Sequence, residues 1–239
     1  MHTPSDLSPL DNPFWSALRT LHRGLALEAG QVARYPAEYA PFLGVADADV
    51  ADIGQALETL VAPGEAVYLL GVAPARLPAG WRLEAFRPLA QMVCGAPLEV
   101  ADGPDPIELG PEHQDDVLAL TALVYPHYFR RRTTELGRYF GIYDRGRLAA
   151  MIGERLGADG FREMSAICTH PDFLGRGYAR RLTAMLGNAT LAGGVVPFLH
   201  VSHENPRALQ LYERLGYRHR RDIGFWALSS PAGEAPARA

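Results

Sequence analysis

The stretch HPDFLGRGYARRL (170–182) sets glycines at 175 and 177 among arginines at 176, 180 and 181. An apolar, β-branched run precedes it and a helical pattern follows, so the glycines stand at a strand-to-helix corner. Glycine lets the backbone turn tightly with no Cβ in the way. The first N–H groups of a helix are unpaired, and with the helix dipole they form an anion site that suits a pyrophosphate. Arg176, Arg180 and Arg181 could add charge to it. The same glycines also suit a purely structural corner, and the corner alone does not separate the two readings. A second constellation follows in HVSHENPRALQLYERLGYR (200–218). There a strand ends, Asn205-Pro206 opens a helix that carries Ala208 and Tyr212, and Gly216 closes it. Pro at the first helical position and Gly just past the end are strong helix boundaries.

The surrounding pattern says what must position these residues. Residues 161–169 read as a strand, 176–192 as a helix, 196–202 as a strand, 205–215 as a helix and 217–228 as a last strand pair. Alternation along the first strand puts Glu163, Ser165, Ile167 and Thr169 on one face, and Met164, Ala166 and Cys168 on the other. Upstream come a short strand at 107–109, helices at 112–124 (stopped before Pro126) and near 133–140, and a hairpin turning at Asp144-Arg145-Gly146. The stretch 95–112 holds four prolines and several acidic residues and reads as a linker. Before it, apolar periodicity predicts a helix from Asn12 and another after Asp49, then strands at 66–72 and 82–94. The expected fold class is α/β or α+β, a mixed sheet with helices on both faces.

Composition bounds the function. The 239 residues are ample for a real core, and a formal charge of −4 gives no reason to expect nucleic-acid binding. No apolar run approaches the roughly 18 residues of a membrane span. The N-terminus lacks the basic and apolar regions of a signal peptide, which makes the cytoplasm the expected location. Cys94 and Cys168 fit reduced thiols better than a disulfide framework. The chain has no lysine, which excludes a Walker-type phosphate loop and a pyridoxal Schiff base.

Taken together, the two constellations resemble the GCN5-related N-acetyltransferase (GNAT) superfamily, and in particular its FR47-like branch. The family's Q/R-x-x-G-x-G/A motif falls on Leu174-Gly175-Arg176-Gly177-Tyr178-Ala179, and Leu174 departs from the Gln or Arg that the motif carries there. The family's N-x-x-A-x-x-x-Y pattern and its LGY end fall on Asn205, Ala208, Tyr212 and 215–217. The resemblance covers about residues 105–228. It implies the GNAT fold, a mostly antiparallel sheet with one splayed parallel strand pair, here 163–169 and 196–202. It also implies acetyl-CoA as co-substrate and no metal. By the same resemblance, Ile167, Cys168 and Thr169 would line the co-substrate, the N–H of Ile167 facing the thioester carbonyl and Thr169 pairing with pantetheine. Backbone N–H groups of 174–179 would hold the pyrophosphate, and Asn205 and Ala208 belong to the same site. Tyr212 matches the family's general acid, and a phenol keeps its proton at neutral pH. Glu163 stands at the position that carries the base in the GCN5 branch, and can act if burial raises its pKa.

These expectations imply an N-acetyltransferase acting by direct attack of a primary amine, with a small-molecule acceptor, no nucleic acid and no membrane. A non-catalytic acyl-CoA-binding module is the alternative. The expected organisation is an N-terminal half at 13–98 (a degenerate acetyltransferase-like unit or an added cap walling the acceptor side), the GNAT domain at 105–229 and a disordered tail at 230–239. Cys168 has no activating partner in the pattern, so it is not read as a nucleophile. His200 and His203 would point to opposite faces and not share a metal. His127 lies where the family folds helices over the acceptor. Arg130, Arg131 and Arg132 could bind an acceptor carboxylate or form a solvated basic face.

Overall fold

The computed structural model describes residues 6–124 and 127–231. The expected helix stop at Pro126 and nearly all of the tail lie outside them. In chain order the elements are α1 (Pro13–Arg19), β1 (Leu27–Ala29), β2 (Val32–Arg34), β3 (Leu43–Val45), α2 (Ile53–Leu60), β4 (Ala66–Leu70), β5 (Arg82–Ala85) and β6 (Leu89–Val93). Then follow β7 (Ile107–Glu108), α3 (Gln114–Val124), β8 (Tyr139–Asp144), β9 (Arg147–Ala158), β10 (Phe161–Thr169), α4 (Tyr178–Ala192), β11 (Val196–Ser202), α5 (Pro206–Leu215), β12 (Arg218–Ile223) and β13 (Phe225–Ser229).

A seven-stranded sheet in the order β12-β6-β11-β10-β9-β8-β7 organises the molecule. Its neighbours are antiparallel except β10 and β11, which run parallel. The hairpin between β8 and β9 turns where expected, with Arg145 and Gly146 both at positive φ (53° and 73°), as a tight two-residue turn requires. Met164 and the α4 residues Leu182, Ala184 and Leu186 share one core with Tyr212 of α5. On the other side α1 packs on β9, and Val117 and Leu120 of α3 join Ala166 and Cys168. This is the mixed α/β architecture with helices on both faces that the pattern implies.

The first half contributes to the same sheet. Residues 82–94, expected as one strand, are two: β5 joins a small sheet, β4-β13-β5, and β6 inserts between β11 and β12. Pro88 stands between them and supplies no N–H to continue a ladder. The expected pair at 217–228 divides in the same way, β12 in the large sheet and β13 in the small one, so two segments cross side by side. Phe86 N–H donates to the Phe225 carbonyl at 2.9 Å, and Gly71 N–H to that of Gly224 at 2.9 Å. The three-stranded sheet β1-β2-β3 was not expected, because three-residue strands carry too little alternation to stand out. The helix expected near 133–140 is a single 3-10 turn, Thr133–Leu136, after which extended Gly137 leads into the aromatic start of β8.

Candidate active site

β10 and β11 pair only over Phe161↔Val196, Arg162↔Pro197 and Glu163↔Phe198, and then part. At the parting β10 shifts register against β9 between Ser165 and Cys168, with Ala166 at φ +49°. A bulge of this kind adds a residue and turns the strand's remaining side chains over. The expected alternation therefore fails here. Met164 and Ile167 pack toward α4, whereas Ala166 and Cys168 face α3. The edge of β10 released from β11 borders a cavity of about 700 Å³. Ile167, Cys168, Asn205, Ala208 and Tyr212 line one end of it, and His200 and Ser202 of β11 line its side.

Just beyond β10 lies the glycine corner. Gly175 and Gly177 both hold left-handed φ (81° and 79°), and a Cβ at either would meet open space. The glycines are thus required by conformation, not by crowding. The α4 ladder opens with Arg181 N–H donating to the Gly177 carbonyl at 3.0 Å, so the N–H groups before Arg181 come ahead of the ladder. Leu174 is half exposed. The three arginines turn elsewhere. Arg176 pairs with Asp144 at 2.6 Å, where Tyr178 also donates its hydroxyl at 2.8 Å. Arg180 pairs with Glu99, and Arg181 donates to the carbonyls of Ala101 and Pro104 and to Asp105. Charge at the corner thus comes from the backbone and the helix dipole.

Asn205 caps α5, its Oδ1 accepting from Ala208 N–H at 3.0 Å. The cap fixes the helix whose inner face presents Ala208 and, one turn on, Tyr212 to the cavity. The Tyr212 and Tyr217 rings meet edge to face, with centroids 6.1 Å apart. Ile167, Cys168 and Thr169 follow the bulge, and Cys168 and Thr169 pair with Met151 and Ala150 of β9. Burial pushes the Cys168 thiol up to about 12, which keeps it protonated.

Glu163 is fully buried and accepts from Arg155 Nε at 3.2 Å and Nη2 at 3.3 Å. His200 Nδ1 stands 2.8 Å from its Oε1. Gln91 Oε1 accepts from Arg220, which leaves the Gln91 amide to donate to the Leu10 carbonyl and to His200 Nε2 at 3.0 Å. An acceptor at Nε2 places the His200 proton on Nδ1, toward Glu163. Burial pushes the Glu163 pKa up, but the Arg155 charge and the His200 hydrogen bond pull it further down, to about 2. The burial-raised carboxylate expected at this position is therefore a stable carboxylate anion.

The other constellations separate. His203 turns to Asp222 at 2.8 Å, away from His200. Arg132 is held by Glu135 and lies over the Tyr39 ring, Arg130 donates to the carbonyls of His127 and Phe129, and His127 is exposed. None of the three arginines at 130–132 lines the cavity. The cavity is also lined by residues that no motif marked, Phe14, Phe42, Phe86, Tyr128 and Phe225 with Arg155, and four of these rings pack in a core cluster separate from that of Tyr212. Each comes from a different segment, so no local spacing could have grouped them.

The family model described as FR47-like protein matches residues 139–226. A crystal structure from Novosphingobium aromaticivorans, assigned to the GNAT family of acetyltransferases, is 32% identical with a TM-score of 0.82. The match covers 94% of this chain and 99% of that one. A GCN5-related N-acetyltransferase from Kribbella flavida shares the fold at 20% identity and a TM-score of 0.62, over 91% and 94% of the two chains. No curated protein gives a significant match.

Proposed function

The chain belongs to the GNAT family of acetyltransferases, and we propose that it moves the acetyl group of acetyl-CoA to a primary amine of a small molecule. One observation carries this reading: β10 parts from β11 beside a glycine corner that opens a helix. The gap offers strand edges to a pantetheine arm, and the corner offers N–H groups to a pyrophosphate. Acetyl-CoA supplies an activated acyl group as its thioester. The amine nitrogen attacks the thioester carbonyl, a C–N bond forms as the C–S bond breaks, the amine loses a proton and the thiolate gains one.

In this reading the N–H of Ile167 steadies the developing oxyanion, and a donor fixed in a strand needs no reorganisation. Cys168 and Thr169 lie along the donor, the backbone of Leu174, Gly175, Arg176, Gly177, Tyr178 and Ala179 holds its phosphates, and Asn205 and Ala208 set the helix that brings Tyr212 to the leaving sulfur as general acid. An efficient base needs a pKa near the working pH. Glu163 lies far below it, so we assign Glu163 to holding Arg155 and His200 in place, and the amine reacts as its neutral fraction. Within residues 13–98, β6 completes the sheet of the domain at 105–229, and Phe14, Phe42 and Phe86 serve as part of the acceptor-side wall.

The test is thiol release from acetyl-CoA over a panel of primary amines, with coenzyme A binding followed by calorimetry. Turnover with an amine is the expected result. Coenzyme A binding with no turnover on any amine would establish the non-catalytic module instead.

A further inference from the structure

Acetyl transfer leaves one end of the cavity unassigned. Ile167, Ala208 and Tyr212 line the donor side and pack in one core cluster, whereas Phe14, Phe42, Tyr128 and Phe225 pack in another. The far end is walled by five aromatic rings from five separate segments. The rings touch in series: Phe14 stacks on Phe42 at 4.2 Å, Phe42 meets Tyr128 at 6.4 Å, Tyr128 meets Phe225 at 5.8 Å, and Phe225 meets Phe86 at 5.3 Å. Tyr68 stacks behind Phe225 at 5.7 Å and backs the wall. Phe86 and Val124 are exposed and line the cavity, so its mouth carries apolar surface beside the exposed Arg87–Glu204 pair.

Charge in the cavity is matched within the protein. Arg155 is paired with Glu163 and lies over the Phe42 ring at 4.8 Å. Glu204 is the one acidic side chain among the described lining residues, and it is largely exposed and faces Arg87 at 3.6 Å. A polyamine or aminosugar carries several ammonium groups, and each needs a carboxylate when desolvated. This wall supplies none. Phe14, Phe42 and Phe225 are buried and back the wall, so Phe86 and Tyr128 offer the apolar surface that a bound molecule would meet, and glycine would leave that surface wet. Aromatic side chains reward a flat apolar body of similar size through buried area and ring–ring contact.

We propose that the acceptor is a monoamine whose amino group is attached to an aromatic ring system or a comparably bulky apolar group. The inference rests on the acetyl-transfer reading and names the acceptor class for it. Because Phe14, Phe42 and Phe86 come from the first half and Tyr128 and Phe225 from the second, the two halves together select the acceptor.

The experiment measures kcat/KM with acetyl-CoA for phenethylamine and tryptamine against glycine and spermidine, in the wild-type chain and in Phe86→Ala. The aromatic amines should exceed the other two by about tenfold or more, the scale on which apolar pockets discriminate. Phe86→Ala, at the exposed rim where folding is least at risk, should raise KM for phenethylamine several-fold and leave KM for acetyl-CoA within about twofold. Equal or better turnover of glycine or spermidine would overturn the inference and leave acetyl transfer standing. A preference for hexanoyl-CoA over acetyl-CoA would also overturn it, since the wall would then receive an acyl chain. Failure of every amine while coenzyme A binds would remove the acetyl-transfer reading and this inference with it.

Discussion

Glu163 shows how much a residue's neighbours decide about its chemistry. Its carboxyl titrates at about 2 in the fold against an ordinary 4.5. A folded-state pKa that is depressed contributes stability above the ordinary value, and that stability is lost as pH falls through the folded one. The melting temperature should fall between about pH 4.5 and pH 2, and Glu163→Gln should flatten that part of the curve. The pH–rate profile should show no limb from Glu163 above about pH 4, whereas a carboxylate base would place one nearer neutrality. With Tyr212 as the acid proposed above, Tyr212→Phe should lower kcat by about a hundredfold and leave KM for acetyl-CoA little changed. A normal rate in Tyr212→Phe would remove its assignment. Gly175, Gly177, Asn205 and Tyr212 were legible because their spacing along the chain is the signal. Arg155, His200 and Gln91 were not, because three different strands bring them together.

At the scale of elements, the bulge in β10 and the corner before α4 do complementary work. One frees a strand edge at the cavity, and the other turns the chain so that a helix begins beside it. The strand, corner and helix were readable from alternation, glycine placement and helical period. The bulge was not, because Ala166 carries no mark of its left-handed φ. The two splits at 86–88 and 224 are marked only by Pro88 and Gly224, and neither residue says which sheet the strand after it joins. Gly177→Ala tests the corner. The site is open, so the cost is conformational, about 1–2 kcal/mol for a left-handed alanine. KM for acetyl-CoA should rise accordingly while thermal unfolding shifts by a few degrees. Leu174→Ala, which leaves the backbone free, should change KM little.

At the scale of the whole molecule, β6 ties the halves together. It backs the far side of the gap, pairing with β11 on one edge and β12 on the other. A fragment spanning 105–231 would lose β6 and, with β4 and β5, both partners of β13. It should show no cooperative melt by circular dichroism, whereas the full chain should show one. A family resemblance confined to the second half could not reveal this, since strand order across a linker leaves no trace in local pattern. The shared strand also has a meaning in time. Gln91 and Arg220 meet across 129 positions, and Arg220 and Asp11 across 209. Contacts so distant form late and slowly in a folding reaction. The hairpin of β8 and β9 and the helix α4 rest on contacts near in sequence, but the cavity must wait for the last strands to be synthesised. In refolding, recovery of helical and strand signal should precede recovery of coenzyme A binding, so that a nascent or half-folded chain holds no acetyl donor.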